Sequence, residues 1–190
     1  AVETPLWVVP DPLQTYLDLA SFHRQRCQAS VVALTGSSGK TTVKDLLRTV
    51  LSAGLVTQAT EQNHNNEVGV SQTLLALRPE TECLVVEMGM RGLNQIRPLS
   101  RAARPNIAVV TNIGPAHIGL LGSLENIAQA KCEIFEGLDP QHGVALLNED
   151  DPYLLERLPQ VWQGQTLRFG LQKAQKLQAL PDGRHAFSFE

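Results

Sequence analysis

The sequence predicts an α/β fold: a mostly parallel, doubly wound phosphate-loop sheet flanked by helices, with an antiparallel hairpin at the C-terminal end. Three observations carry this. Strand-like runs alternate with helix-like runs along most of the chain. The strand runs are nearly continuous Val, Leu, Ile and Ala, as strands buried on both faces require. The first core run ends in a Gly-rich turn that opens a helix, in 31-VVALTGSSGKTTVKDLL-47.

The elements follow in order. Residues 1–10 are Pro-bounded and extended. Asp11-Pro12 reads as N-cap and first helical residue, and Leu13, Tyr16, Leu17, Ala20 and Arg24 recur at helical spacing, so a helix is expected over 12–27. Strands are expected at 31–34, 55–59, 83–88, 106–111, 143–148 and 166–170. Helices are expected near 39–53, 67–77, 122–137 and 151–158. Gly54 and Gly137 mark helix ends, and Pro79 stops a third helix. In 175-QKLQALPDGRHAFSF-189 a Pro-Asp-Gly turn separates two alternating runs, which predicts the hairpin.

Composition narrows the function classes. With 190 residues, 43% hydrophobic and 18% charged, the chain can build one domain with a real core. Its net charge of −3, without a run of Lys or Arg, argues against nucleic acid and anionic membranes as partners. No apolar run is long enough to span a bilayer, and no signal-peptide pattern opens the chain, so a cytoplasmic location is expected. Cys27, Cys83 and Cys132 are odd in number and widely spaced, which suits a reducing compartment; Cys83 and Cys132 read as small buried hydrophobes. The chain starts without Met and stops on an alternating strand, so a piece of a longer protein is expected.

The turn 35-TGSSGKTT-42 is the strongest chemical signal. Gly36 and Gly39 permit backbone turns that let amides face a phosphate, with Ser37 and Ser38 between them. The next helix adds its free N-terminal amides, from Lys40 through Thr42. Lys40 reaches the β- and γ-phosphates in such loops, and the Thr41 hydroxyl takes a place on Mg²⁺. The general pattern has Gly where this chain has Leu34, so the match is incomplete.

Other strand ends carry candidates. Glu87 closes the apolar run 84-LVVE-87, at the edge where ligands of parallel sheets bind, and a carboxylate beside Thr41 would complete a Mg²⁺ site. The loop Gly89-Met90-Arg91-Gly92 follows it. Asn63, Asn65 and Asn66 crowd the start of a helix, more amides than one cap needs. His117 follows another strand, and Asn148 and Asp150 follow the next; both of the last two are also ordinary turn formers. Lys131 sits within a helical run, where composition alone reads it as exposed.

Together these segments resemble the Mur ligases, whose phosphate loop reads T-G-x-x-G-K-T/S, so Leu34 is no anomaly there. The segments 63-NHNNEVGVSQTLLAL-77, 87-EMGMRGLNQI-96, 116-AHIGLLGSLENIAQAKCEIFEGL-138 and 148-NEDDP-152 look most like the MurF type. Ser71 departs from the Pro often found there. The resemblance implies an ATP-dependent carboxylate–amine ligase that joins D-alanyl-D-alanine to the UDP-N-acetylmuramoyl tripeptide, acting as a monomer. It implies that residues 1–29 are the tail of an N-terminal domain and linker helix, that 30–190 are most of a central ATPase domain, and that a C-terminal domain is absent. It implies catalytic roles for Lys40, His117 and Lys131. Two Mg²⁺ ions would be held through Thr41, Glu87, His117 and a carbamylated Lys131. Asn148 would meet adenine, and Asn63, Asn65 and Asn66 would lie near the substrate. A sibling ligase, such as another Mur ligase or folylpolyglutamate synthetase, and a non-catalytic nucleotide-binding module are the alternatives.

Overall fold

The computed structural model describes residues 6–170 and two short strands further on. Six strands form one all-parallel sheet: β1 Ser30–Thr35, β2 Thr57–Ala59, β3 Cys83–Glu87, β4 Ile107–Val110, β5 Val144–Asn148 and β6 Gln165–Phe169, in the order β2-β3-β1-β4-β5-β6. Helices α1 Pro12–Gln25, α2 Lys40–Leu51, α3 Glu67–Leu75, α4 Ile96–Ala103, α5 Ile118–Leu121, α6 Leu124–Cys132 and α7 Pro152–Val161 connect and cover it. Strands β7 Gln178–Ala179 and β8 His185–Ala186 pair antiparallel, as the expected hairpin requires. The rest of 171–190, with its Pro-Asp-Gly turn, and residues 1–5 lie outside the described residues.

Alternate strand residues face opposite sides. Val31, Ala33, Leu84, Val86, Ala108, Val110, Ala145 and Leu147 join the larger core, with Leu17, Leu74, Ile96, Ile127 and Leu154 from the helices. Val32, Leu34, Val85, Val109 and Leu146 face the other way, against Leu47 and Leu51 of α2. Both faces are therefore buried, which explains why β3 is buried at all five positions.

The expected elements are present with ends shifted by a few residues, and two features differ. The expected helix over 122–137 is two pieces, α6 from its Ser123 cap and a 3-10 turn over Glu133–Gly137, and the short α5 precedes it. Gly122, at φ 80°, ends α5 and separates it from α6. Helix α4 was not expected at all. It has Pro98 in its first turn and no side-chain N-cap of its own. Instead the buried carboxylate of Glu133 accepts from the amides of Asn94 (2.6 Å), Ile96 (3.2 Å) and Arg97 (3.1 Å), a cap supplied from a distant part of the chain.

Candidate active site

The site lies along the C-terminal edge of the sheet, where β1, β3 and β4 end side by side. Its floor is the β1–α2 turn. An added Cβ at Gly36 would overlap the Thr111 hydroxyl, so only glycine fits there. Gly39 is left-handed, at φ 76°, and turns the chain into α2. The Lys40 ammonium folds back to donate to the Gly36 carbonyl at 2.8 Å. Thr42 is exposed in the first turn of α2.

The end of β3 stands beside this turn. Glu87 is buried, and its carboxylate accepts from the Thr41 hydroxyl at 3.0 Å and from the Asn65 amide at 2.8 Å. The expected pairing of Thr41 with Glu87 is therefore a direct contact, and Asn65 joins it. The neighbouring Asn66 acts as the N-cap of α3, accepting from the Gly69 amide at 2.9 Å.

Above the floor is a cleft of about 750 Å³. Lys40, Asn63, Asn65, Asn66, His117 and Lys131 all line it, so six of the expected residues from four chain segments meet there. His64, Glu67, Arg91 and Gln95 line it as well. The Arg91 loop is built rather than loose: the Gln95 side chain accepts from the Arg91 amide at 2.7 Å, and Glu133 anchors the next turn. Asn148 does not line this cleft. It ends β5, and its side chain accepts from the Asp150 amide at 3.0 Å, the turn-forming role its sequence context allows.

Two cationic groups in the cleft are shifted toward neutrality. Lys131 is not the exposed helix lysine that composition suggests: it is 2% exposed, with no carboxylate partner among the described residues. Burial, then the nearby Lys40 charge, lowers its pKa from 10.5 to about 7. His117 is held at a left-handed φ of 67°, and its pKa is lowered by desolvation first, then by Lys131, Lys40 and Arg91. A neutral imidazole keeps the lone pair a metal needs, and a neutral amine is the form that reacts with CO₂.

These residues fit a magnesium ion at Thr41 and Glu87, since a hydroxyl and a carboxylate 3.0 Å apart are hard oxygen donors already converging. Among the described residues no three His, Cys, Asp or Glu side chains cluster as a metal site. Magnesium asks for only one or two carboxylates plus substrate phosphates, which matches this sparse set.

The comparisons with known proteins decide the family. The family model for the Mur ligase middle domain matches residues 34–188. The chain belongs to the Mur ligase family. It is 45% identical over 166 residues to the UDP-N-acetylmuramoyl-tripeptide–D-alanyl-D-alanine ligase of Synechocystis sp., a match covering 87% of this chain and 36% of that protein. Crystal structure I of MurF from Acinetobacter baumannii superposes with a TM-score of 0.86 at 33% identity, over 98% of this chain and 45% of that one. The MurF ligase of Thermotoga maritima in complex with ADP superposes with a TM-score of 0.80 at 32% identity, over 90% of this chain and 39% of that one. The chain thus spans less than half the length of these relatives. The mostly parallel α/β sheet is the fold of the Mur ligase central domain.

Within this Mur ligase domain, three contributors to the site carry no signal in the sequence. Thr111 and Asn112, just after β4, grip the phosphate loop; Glu133 caps α4 under the Arg91 loop. The 3-residue spacing of Asp151 before Leu154 signals a helix cap. It does not signal that Asp151 also accepts from the Ile113 amide at 2.5 Å. Cys83 and Cys132 are buried as expected, and burial pushes the Cys132 thiol up to about 12. No described helix is long and apolar enough to cross a membrane.

Proposed function

We propose that this chain is the ATP- and Mg²⁺-binding part of a cytoplasmic, monomeric ligase that joins D-alanyl-D-alanine to the UDP-N-acetylmuramoyl tripeptide in peptidoglycan precursor synthesis. Residues 1–29 are the tail of a preceding domain with its linker helix, and 30–190 are the central ATPase domain. The carrying observation is one juxtaposition: a phosphate loop whose Thr41 is bonded to the buried Glu87, facing a cleft that also holds His117 and a near-neutral Lys131. The 45% identity to a ligase of this name points to the same acceptor.

The reaction divides into two displacements. A carboxylate oxygen of the tripeptide attacks the γ-phosphorus of ATP, the bond to the β-bridging oxygen breaks, and an acyl phosphate and ADP result. The amine of the dipeptide then attacks the acyl carbon, phosphate leaves, and the amine loses its proton. The chain's own groups serve the first step. The amides of Gly39 to Thr42 at the start of α2 face the phosphates, and Lys40 leaves its Gly36 carbonyl to neutralise the moving phosphoryl group. Asn63, Asn65 and Asn66 orient the acyl substrate across the cleft. Asn148, which ends β5 on the same sheet edge, would meet the adenine. Thr41, Glu87, His117 and carbamylated Lys131 would hold two magnesium ions, which supply charge neutralisation at the β- and γ-phosphates. The amine site belongs to a further domain, so the isolated chain binds nucleotide without forming the peptide bond.

The test uses the full-length enzyme with ATP, Mg²⁺ and the UDP-linked tripeptide. Phosphate release is expected on adding D-alanyl-D-alanine and is expected to be lost in Lys40→Ala. Release driven by single amino acids instead would move the protein to a sibling ligase; tight ATP binding without release under any acceptor would leave only the nucleotide-binding module.

A further inference from the structure

The phosphate loop does not hold its shape alone. Its middle residue, Ser38, is exposed, and a short Ser-rich turn of this kind has few internal bonds to fix it. In this protein the turn after β4 supplies those bonds. The Asn112 side-chain oxygen accepts from the Ser38 amide at 3.0 Å. Its side-chain nitrogen donates to the Ser38 hydroxyl at 3.0 Å and to the Ser38 carbonyl at 3.3 Å. Its backbone carbonyl accepts from the Ser37 amide at 3.0 Å. Thr111 adds a hydroxyl bond to the Ser38 carbonyl at 2.8 Å. Ser37 closes the set: its hydroxyl accepts from the Gly114 amide at 2.8 Å and lies 3.1 Å from the Gly114 carbonyl.

We infer that Asn112 is the positioning residue of the phosphate loop: it reads the Ser38 peptide from both sides and thereby aims the following amides and Lys40 at the nucleotide phosphates. The inference rests on the nucleotide-binding reading for its functional half only; the clamp itself is a property of the ligand-free chain. Three features single out Asn112. A side-chain amide carries an acceptor oxygen and two N–H donors on one neutral plane, so it can accept from the Ser38 N–H and donate to both Ser38 oxygens at once. Gly36 leaves the space that lets β4's end approach, since any Cβ would strike Thr111. The clamp is itself braced from behind: the buried Asp151 carboxylate accepts from the Ile113 amide next to it and also caps α7. The turn that follows Asn148 is thus joined to the phosphate loop through Asp151, Ile113 and Asn112. A positioning residue of this kind acts through the loop and touches no reacting atom.

The experiment uses the chain itself, with ADP and Mg²⁺ as probe, and two readouts. In Asn112→Ala, hydrogen exchange of the Ser38 amide in the ligand-free chain is expected to quicken at least tenfold, while amides of β1 and β4 keep their protection. ADP affinity, measured by titration calorimetry, is expected to fall about tenfold or more. Asn112→Asp keeps the acceptor for the Ser38 amide but loses both donors to the Ser38 oxygens, so Ser38 exchange is expected to fall between the parent and the alanine variant, with ADP weakened by the lost clamp and by a carboxylate beside the phosphates. Should the alanine variant not fold, the aspartate variant carries the test alone, and ADP affinity within twofold of the parent there overturns the inference. Unchanged Ser38 exchange in Asn112→Ala, or ADP affinity within twofold of the parent, overturns the inference. Lys40→Ala is the separate control: if it leaves ADP binding intact, the nucleotide reading fails, and the Ser38 exchange result still decides the clamp.

Discussion

Replacing Lys131 by Met should stabilise the ligand-free chain at neutral pH and lose that advantage as pH rises. The side chain is 2% exposed, and burial with the Lys40 charge brings its pKa from 10.5 to about 7. In the unfolded chain it returns to the ordinary value, so between about pH 7 and 10.5 the unfolded state binds more protons than the folded one, and wild-type stability climbs with pH through that window. The full penalty is about 5 kcal/mol at pH 6 and below. It is about 4 kcal/mol at pH 7, where half of the folded chains carry the charge, and about 1 kcal/mol at pH 9.5. Met fills a similar volume without a charge, and its own packing difference does not vary with pH. Urea unfolding of both chains at several pH values, in buffer purged of CO₂, therefore isolates the titration: the stability gap should close by about 3 kcal/mol between pH 7 and 9.5. A gap that stays constant across this range would show that Lys131 keeps an ordinary pKa when folded, and would remove the physical basis for a reactive neutral amine at this position.

Two further substitutions test the scaffold around the site. Gly36→Ala drives a methyl into the Thr111 hydroxyl; it should cost about 1–3 kcal/mol in urea unfolding and weaken ADP binding, because the loop and the end of β4 must separate. Gly39→Ala is the matched comparison, with no atom within 4 Å of the added Cβ and only the left-handed backbone, at φ 76°, to penalise it, so its cost should be nearer 1 kcal/mol. Glu133→Ala leaves the amides of Asn94, Ile96 and Arg97 without their acceptor and should cost about 3 kcal/mol or more, with faster amide exchange confined first to α4 and the Arg91 loop.

Much of this was legible in the sequence, for local reasons. The phosphate loop, the Asp11 cap and the buried strands each declare themselves within a few residues. What was not legible depends on elements far apart in sequence. Helix α4 has an unpromising start, Gln95-Ile96-Arg97-Pro98, and forms because Glu133, 37 residues from Ile96, caps it. Lys131 looks like a surface residue of α6; only the packing of α6 over the larger sheet face buries it.

The strand order explains why the site is made from these residues and not their sequence neighbours. β1 lies between β3 and β4, so the turn after β1 must have the turn after β3 on one side and the turn after β4 on the other. The β3 side supplies charge, through Glu87 on Thr41; the β4 side supplies shape, through Asn112 on Ser38. Strand β2 lies at the sheet edge beyond β3; the chain after it reaches the site through Asn65 and Thr60 on Glu87 and through Asn63 and Asn66 in the cleft wall. Under the proposed function a carboxylate suits the first side because it would face a cation. A neutral amide suits the second, since a carboxylate there would oppose the nucleotide phosphates of the proposed function. The two flanks of one glycine-rich turn thus divide electrostatics from geometry, and that division follows from which strands are neighbours.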